Sequence, residues 1–298
     1  MHCLNIKVTY QCCNKCSYCF SNSYKNINIS LEELKDAVFD GYNRGCKSII
    51  LSGGEPTYDE EKLISILNYA VEIGYKKIII QSNGYGLIDI NSELFKSIKT
   101  ISDNYNFSIS FSILGASADT HNKATGNSDS FYRLMKSIDN ISLYTNANIY
   151  TNTVVSSLNI NELKSIIDIV IPFRPSIMQF SVMHIENDNE YAVGLLETVK
   201  AIHSIKNYIS HDILRTEGIP YCLMRGIEKC VGESYWPSEI DLFNSKEENI
   251  FDYNQVNCGM RFKADFCNDC IFNDICNGVW KENKLEFLSL VSRAVNAK

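Results

Sequence analysis

Apolar residues in the first two thirds of the chain alternate between the spacing of strands and that of amphipathic helices. The strand-like runs are Asn5–Thr9, Ser48–Ser52, Lys77–Gln81, Phe107–Ile113, Asn148–Val155 and Ser176–Met183. The helix-like runs are Ser30–Arg44, Glu60–Ile73, Ser130–Tyr144, Asn161–Val170 and Glu197–Ser210. This order predicts an α/β fold with a mostly parallel sheet and right-handed crossovers, either open or curled into a partial barrel.

Local signals support several of these element ends. Ser30, with Glu33 three residues later, is typical of a helix N-terminus, and Gly74 is typical of a helix C-terminus. The run Lys77–Gln81 is so apolar that we expect cover on both of its faces. After about Ile213 the periodic signals fade, which predicts a first domain over residues 1–212 and a second over 213–298.

Composition narrows the class of protein. The 298 residues carry a formal charge of -7, which disfavours a general nucleic-acid binder. The chain has no signal peptide at its start and no apolar run long enough to cross a membrane, so we expect a cytoplasmic protein. Its twelve cysteines are poor disulfide partners in a reducing compartment, and clusters of them there more often ligate metal or do chemistry.

Three cysteines follow the first predicted strand. Cys12, Cys16 and Cys19 have the spacing C-x3-C-x2-C, and they lie in a loop at the strand's carboxyl end, where parallel α/β folds build their sites. Three thiolates can hold three irons of a [4Fe–4S] cluster and leave the fourth iron open. The alternatives are three buried small residues or three ligands of a zinc site. Cys13, between the ligands, is interpreted as a bystander.

A glycine turn follows the second predicted strand. Gly53, Gly54, Glu55 and Pro56 on their own are typical of a tight βα turn. Together with the triplet after strand one, this turn resembles the radical SAM superfamily, whose motifs stand at these two places. The resemblance covers roughly residues 4 to 210. It implies a partial (β/α)6 TIM-like barrel, a [4Fe–4S] cluster, and S-adenosylmethionine chelating the open iron.

The same resemblance implies a set of contacts to S-adenosylmethionine. Its amino group is expected at the backbone and the Glu55 side of the glycine turn, where a carboxylate suits an ammonium. Leu114 and Thr125 depart from the family's usual Asp and Arg, which leaves the contacts on that side open. The carried-over cofactor positions are Tyr18 near the adenine, Gly53, Gly54, Glu55, Pro56, Ser82, Asn83, Ser112 and Asn152.

A second cysteine group lies near the carboxyl end. Its C-x2-C-x5-C spacing also suits a zinc ribbon, but it resembles the end of the SPASM and twitch domains, which carry auxiliary iron–sulfur clusters. Trp280 stands where the fuller SPASM pattern has a further cysteine, so we expect one auxiliary [4Fe–4S] cluster. Cys222 is the preferred fourth ligand and Cys258 the alternate. The expected metal ligands in the tail are Cys222, Cys267, Cys270 and Cys276.

The resemblance implies reductive cleavage of S-adenosylmethionine to a 5′-deoxyadenosyl radical, which takes a hydrogen atom from substrate. An auxiliary cluster favours maturation of a ribosomally made precursor peptide by crosslinking, thioether formation or epimerisation. A small-metabolite dehydrogenase or ring-forming enzyme is the first alternative, and a non-catalytic electron carrier is the second. Flavodoxin or ferredoxin is the expected type of electron donor.

Substrate recognition is less defined by the sequence. Because the cluster motif begins at Cys12, no leader-binding domain is expected before the barrel, so leader recognition would need a separate protein or the barrel mouth. Cys230 or Cys258 is a candidate hydrogen-donor thiol, although inert roles are favoured. Polar candidates near the pocket are Gln179, His184, Glu186 and Arg225.

Overall fold

The computed structural model describes residues 2–184, 189–235, 239–243, 250–252 and 259–295. The strands are β1 His2–Thr9, β2 Ser48–Gly53, β3 Lys77–Ser82, β4 Asn106–Ser112, β5 Asn148–Val155, β6 Ile177–Val182, β7 Leu214–Glu217, β8 Glu239–Phe243, β9 Ile250–Asp252, β10 Arg261–Phe262 and β11 Val279–Trp280. The helices are α1 Leu31–Asn43, α2 Glu60–Ile73, α3 Glu93–Asn104, α4 Ala118–Thr125, α5 Ser130–Tyr144, α6 Leu163–Val170, α7 Leu195–Ile205 and α8 Lys284–Val295.

Nine of these strands form one sheet in the order β7-β6-β5-β4-β3-β2-β1-β8-β9. All neighbours from β7 to β8 are parallel, and β9 pairs antiparallel with β8. The short strands β10 and β11 form a separate antiparallel pair. Parallel strands joined by helices confirm the predicted α/β class with a partial TIM-like barrel.

The two faces of the sheet differ in burial. On the helix-covered face, residues such as Ile78 and Ile80 are fully buried. We call the opposite face of the sheet the lumen, and many alternate positions on it are partly exposed. The residues that line it include Asn5, Lys7, Ile79, Ser110, Ser112, Asn152, Gln179 and Glu217. The expectation that Lys77–Gln81 is covered on both faces is therefore wrong, because Ile79 and Gln81 face this open side.

Most predicted elements lie within a few residues of the observed ones. The capping box of α1 is present, with the Ser30 N–H donating to Glu33 Oε2 at 2.7 Å and the Glu33 N–H donating to Ser30 Oγ at 3.2 Å. Gly74 ends α2 with a φ of 104°. The pattern did not single out α3 or α4. No helix among the described residues is long and apolar enough to cross a membrane.

The sheet continues beyond the fading of the periodic signal. β7 begins at Leu214, directly after the predicted boundary, and β8 adds to the opposite side of β1. These strands are only four and five residues long, too short for alternation to stand out from surrounding loops. A division of the chain near residue 213 stays a prediction, and any such division passes through the strand set of a single sheet.

Candidate active site

The cysteine triplet lies at the carboxyl edge of the sheet, on the loop that leaves β1. Neighbouring loops fix this loop from one side: the Lys15 N–H donates to the Thr125 carbonyl at 2.7 Å, and Asn127 Nδ2 donates to Asn14 Oδ1 at 3.0 Å. Asn22 Nδ2 donates to the Cys16 carbonyl at 3.0 Å within the loop itself. The loop is thus shaped by backbone and amide contacts that leave the thiol groups available.

The glycine turn after β2 presses directly against the end of β1. The Gly54 N–H donates to the Thr9 carbonyl at 2.7 Å, and the Glu55 N–H donates to the Gln11 carbonyl at 2.8 Å. A Cβ on Gly53 would overlap the Thr9 carbonyl oxygen, and a Cβ on Gly54 would overlap the Gln11 carbonyl oxygen. Gly53 also adopts a φ of 141°, which favours glycine. Two glycines are therefore required to bring the two motifs side by side.

Glu55 connects this turn to the end of β3. Its Oε1 accepts from Thr57 N–H at 3.1 Å, Thr57 Oγ1 at 2.7 Å and Ser82 Oγ at 2.7 Å, while its Oε2 accepts from Asn83 N–H at 2.6 Å. The residue is 1% exposed, and burial raises the pKa of its carboxyl. The carboxylate thus accepts from three protein donors at Oε1 and one at Oε2, which fixes the turn against the end of β3. The expected ammonium contact on this side of the turn stays a prediction.

Asn83 connects the Glu55 hydrogen-bond network to the cysteine triplet. Its Nδ2 lies 3.5 Å from Cys12 Sγ and 3.7 Å from Cys13 Sγ, and its Oδ1 accepts from the Tyr85 N–H at 3.1 Å. Three strand ends, those of β1, β2 and β3, are therefore joined into one site. An amide donor directed at a thiolate sulfur is a group that tunes iron–sulfur potentials.

The thiols of the triplet are partly buried, and their pKa values reflect this. The Cys12 pKa is raised, first because its thiol donates to Cys13 and then by burial. Burial raises the pKa of Cys16 to about 12 and also raises that of Cys19, with the neighbouring thiols adding to both shifts. Such thiols stay protonated until a metal compensates the thiolate charge, so metal loading would release protons.

The remaining expected cofactor residues lie in three places. Pro56 is fully buried beside Glu55, and Ser82 donates to that carboxylate, so both contribute to the shape of the turn. Tyr18 has a buried phenol oxygen with no hydrogen-bond partner in the described part of the chain, and burial raises its pKa well above the usual value. Ser112 and Asn152 are paired in register on β4 and β5 and face the lumen.

The tail cysteines are also brought together. Burial raises the pKa of Cys222 to about 11, and the thiols of Cys276, Cys267 and Cys270 add to the shift, which places all four in one electrostatic neighbourhood. The loop is ordered by the Tyr221–Phe272 ring stack at 4.6 Å and by the Gly278 N–H at 3.4 Å from Cys276 Sγ. Cys222 thus lies near the other three tail cysteines, and its role as fourth ligand stays a prediction. Cys258 lies outside the described residues.

Other candidates from the sequence lie elsewhere. Cys230 is fully buried, with its sulfur 3.9 Å from the His211 carbonyl, so its thiol does not reach the lumen in this structure. Cys3 and Cys46 are buried in the core. Arg225 is exposed, and Glu186 lies outside the described residues. Gln179 lines the lumen.

Two residues of the lumen, Lys7 and Glu217, did not emerge from the sequence. Lys7 on β1 is densely surrounded, burial lowers its pKa to about 8, and its Nζ donates to Ser52 Oγ at 3.0 Å. On the opposite wall, Gln179 and Ser181 contact Glu217. The signal was present in the alternation of polar residues at positions 5 and 7 and at positions 215 and 217. These positions are two apart and so share a face of their strands.

A group of three potential metal ligands lies at the other end of β1. His2, Cys46 and Asp241 have donor atoms within 4.8 Å of one another. Asp241 already accepts two hydrogen bonds from Arg44, at 2.7 and 3.0 Å, and its Oδ2 lies 3.2 Å from His2 Nε2. The guanidinium neutralises the carboxylate, so this group is an ion-pair anchor between β8 and the first βα unit.

Comparison with known proteins defines the class. The family model of the Radical SAM superfamily matches residues 6–170, and the chain belongs to this superfamily. A GTP 3′,8-cyclase from Tolumonas auensis is 30% identical over 98 residues, covering 32% of this chain and 29% of the relative. An S-adenosylmethionine-dependent nucleotide dehydratase from Fibrobacter sp. is 27% identical over 176 residues, covering 54% and 49%. The chain thus spans about half or less of these relatives.

Solved structures show the same fold over a larger share of the chain. SuiB from Streptococcus suis, bound to S-adenosylmethionine, covers 95% of this chain and 74% of its own, with a TM-score of 0.66 and 15% identity. The anSMEcpe enzyme with bound AdoMet covers 70% of this chain and 60% of its own, with a TM-score of 0.55 and 21% identity. At these identities the likeness concerns the fold.

Proposed function

We propose that this radical SAM enzyme holds a [4Fe–4S] cluster on Cys12, Cys16 and Cys19, with S-adenosylmethionine between that cluster and the glycine turn. The observation that carries the proposal is the junction of three strand ends, where Asn83 links the Glu55 network to Cys12. When bound, these groups supply a carbon-centred radical able to remove hydrogen from an unactivated C–H bond.

The residues present fit such a group. Among the described residues only His2, Cys46 and Asp241 have three donor atoms within 4.8 Å, so the cysteine sets are spread more widely. A zinc ion with sulfur ligands at about 2.3 Å would need them closer together. The glycine turn lets a ligand approach its backbone without meeting side chains. The buried Tyr18 phenol oxygen has no hydrogen-bond partner among the described residues, so it can bond to such a ligand.

The protein's own part in the reaction is positioning. Glu55 fixes the turn that receives the cofactor, Asn83 directs an N–H at the cysteine sulfurs, and the helix-covered sheet excludes water from the outer side. The ammonium of S-adenosylmethionine is then expected at the backbone and the Glu55 side of the glycine turn, where Glu55 Oε2 accepts from only one protein donor.

We further propose one auxiliary [4Fe–4S] cluster on Cys222, Cys267, Cys270 and Cys276, and a precursor peptide as substrate. The shared neighbourhood of these four thiols supports the cluster. SuiB has also been solved bound to the precursor peptide SuiA, and in that form it covers 95% of this chain with a TM-score of 0.67. An auxiliary cluster suits reactions that must dispose of an electron after hydrogen abstraction.

A small metabolite is the second candidate. GTP 3′,8-cyclases match part of this chain with more sequence identity than the peptide-modifying structures show. This candidate predicts that a nucleotide, and no peptide, stimulates cleavage of S-adenosylmethionine.

The test begins with anaerobic reconstitution of the full chain, followed by reduction with dithionite and quantification of 5′-deoxyadenosine and methionine. We expect both products in equal amounts. A chain with normal iron content that yields neither product would support the electron-carrier alternative. Co-expression with short peptides encoded beside the gene, followed by mass spectrometry, and a parallel incubation with GTP separate the two substrate classes.

A further inference from the structure

The lumen wall opposite the cysteine triplet carries a polar cluster at the ends of β6 and β7. Glu217 Oε2 lies 2.9 Å from Gln179 Nε2 and 2.9 Å from Ser181 Oγ, and Ser181 Oγ lies 2.8 Å from Asn152 Oδ1. Glu217 is enclosed by protein yet keeps partial exposure on the lumen side. Its carboxyl group is therefore held in a fixed orientation and remains within reach of a molecule in the lumen.

A second carboxyl group, that of Glu233, lies close enough to Glu217 for the two charges to interact. Glu233 Oε1 accepts from the Gly218 N–H at 2.8 Å and lies 3.4 Å from Arg261 Nη2, and the Glu233 and Arg261 side chains are only 3% and 4% exposed. Glu233 thus pairs with Arg261, and the charge of the same guanidinium also acts on Glu217. With both carboxyl groups ionised and the His184 ring, which stacks on Trp280 at 4.7 Å, neutral, these two carboxylates and Arg261 leave one excess negative charge in a desolvated place. Such a charge is costly without a further cation or a retained proton.

This cluster includes a buried acceptor and a buried donor that have no hydrogen-bond partner in the described part of the chain. They are Glu233 Oε2, an acceptor, and Trp280 Nε1, a donor on a residue that is 4% exposed. The indole is directed into the cluster. Its Nε1 lies 2.7 Å from the position that a Cβ of Gly218 would take, and the Arg261 guanidinium carbon lies 3.4 Å from the centre of its ring. Buried unpaired groups of this kind call for a ligand or ordered water.

We propose that Glu217, Glu233, Arg261 and Trp280 form a recognition site for a cationic nitrogen of the substrate, an ammonium or a guanidinium borne on a peptide. This inference rests on the proposed function. The cation restores the charge balance of the two carboxylates, and a neighbouring peptide carbonyl accepts from Trp280 Nε1. A triphosphate would be repelled by the same carboxylates, so the cluster also favours a peptide over a nucleotide.

The ionisation of the cluster agrees with this role. Burial raises the pKa of Glu233 to about 7, with Arg261 opposing the shift and Glu217 adding to it. Burial also raises the pKa of Glu217, against the effects of Arg261, Ser181 and His184. The cluster therefore holds a proton near neutral pH, and a bound cation would take the place of that proton, which leaves to solvent.

The test is calorimetric titration of the reconstituted, AdoMet-loaded chain with two probes. Nα-acetyl-lysine N-methylamide carries the ammonium, and Nα-acetyl-norleucine N-methylamide has the same chain without it. We expect the lysine probe to bind at least about tenfold more tightly at pH 8, one unit above the Glu233 pKa, and to lose about tenfold between pH 8 and pH 6, one unit below it.

Variants locate the binding. Glu217→Gln and Glu233→Gln should each reduce lysine-probe affinity toward that of norleucine, whereas Glu93→Gln, an exposed carboxyl on α3, should leave it unchanged. Equal affinity for the two probes in the unmodified chain, or tight binding of guanosine that depends on Glu217, would overturn the inference.

The same material separates this inference from the function. If the unmodified chain cleaves S-adenosylmethionine but does not distinguish the two probes, only the recognition site is wrong. If it distinguishes the probes but never forms 5′-deoxyadenosine, the proposed function is wrong while the site stands.

Discussion

The two walls of the lumen are built in different ways. The wall of β1 to β3 takes its chemistry from short contiguous motifs at strand ends, where backbone contacts and the Glu55 network fix the geometry. The wall of β5 to β7 takes its chemistry from single residues on separate strands, completed by Glu233, Arg261 and Trp280 from the tail. We propose the first wall as the cofactor site and the second as the substrate site.

The largest expected effect lies on the first wall. Cys16→Ala should reduce formation of 5′-deoxyadenosine to background, because a cluster with two protein ligands is not held. Cys13→Ala, which removes a neighbouring thiol that is not a proposed ligand, should keep the cluster. The measurement is product formation per bound iron; comparable losses in both variants would remove the distinction between ligand and bystander.

The next effect concerns the tail. Cys222→Ala should lower bound iron from about eight to about four atoms per chain while cleavage of S-adenosylmethionine continues, because the two proposed [4Fe–4S] clusters are separate. Cys230→Ala provides the matched control and should retain all the iron. Full iron content in the Cys222 variant would transfer the fourth-ligand role to another residue, with Cys258 the first to be examined.

A smaller effect is expected at Glu55. Glu55→Ala leaves buried donors from Thr57, Ser82 and Asn83 without their acceptor, so the free energy of unfolding should fall by about 3 kcal/mol. Affinity for S-adenosylmethionine should fall with it, because the turn loses its connection to β3. Urea unfolding and equilibrium binding measure the two quantities, with Glu93→Ala as an exposed control.

The smallest effect is a pH dependence on the second wall. The folded pKa of Glu233, about 7, is above the ordinary Glu value, so its contribution to stability is complete below the unfolded pKa and is lost as pH rises through 7. Between pH 5 and pH 8 this loss should reach about 2 kcal/mol.

Glu233→Gln should remove that part of the slope. His121, whose pKa burial lowers to about 4, acts in the opposite direction, and it cancels when variant and unmodified chain are compared by unfolding at each pH. Identical slopes in the two proteins would show that Glu233 stays ionised in the folded state.

The sequence predicted the first wall better than the second for a physical reason. Residues 12–19 and 53–56 act through local loop geometry, so their spacing alone indicates the chemistry. Glu217 and Glu233 lie sixteen positions apart, and Arg261 and Trp280 follow only after further loops, so no spacing connects them before the sheet is formed. β7 and β8 were missed for a related reason, since four or five residues give too little alternation.

Glu55 shows the limit of a motif in another way. Its presence indicated the correct turn, yet the chemistry inferred for its carboxylate does not follow from residue type alone. Once the fold places Ser82 and Asn83 next to it, their donors occupy both oxygens.

The position of β8 next to β1 has a consequence for biosynthesis. A chain made from its amino terminus exposes one edge of β1 until residue 243 has left the ribosome, and only then does Asp241 reach Arg44 and His2. The edge of β1, the strand that leads into the cysteine loop, is thus covered only after residue 243 has been made, so we expect this loop to gain its final support late in synthesis.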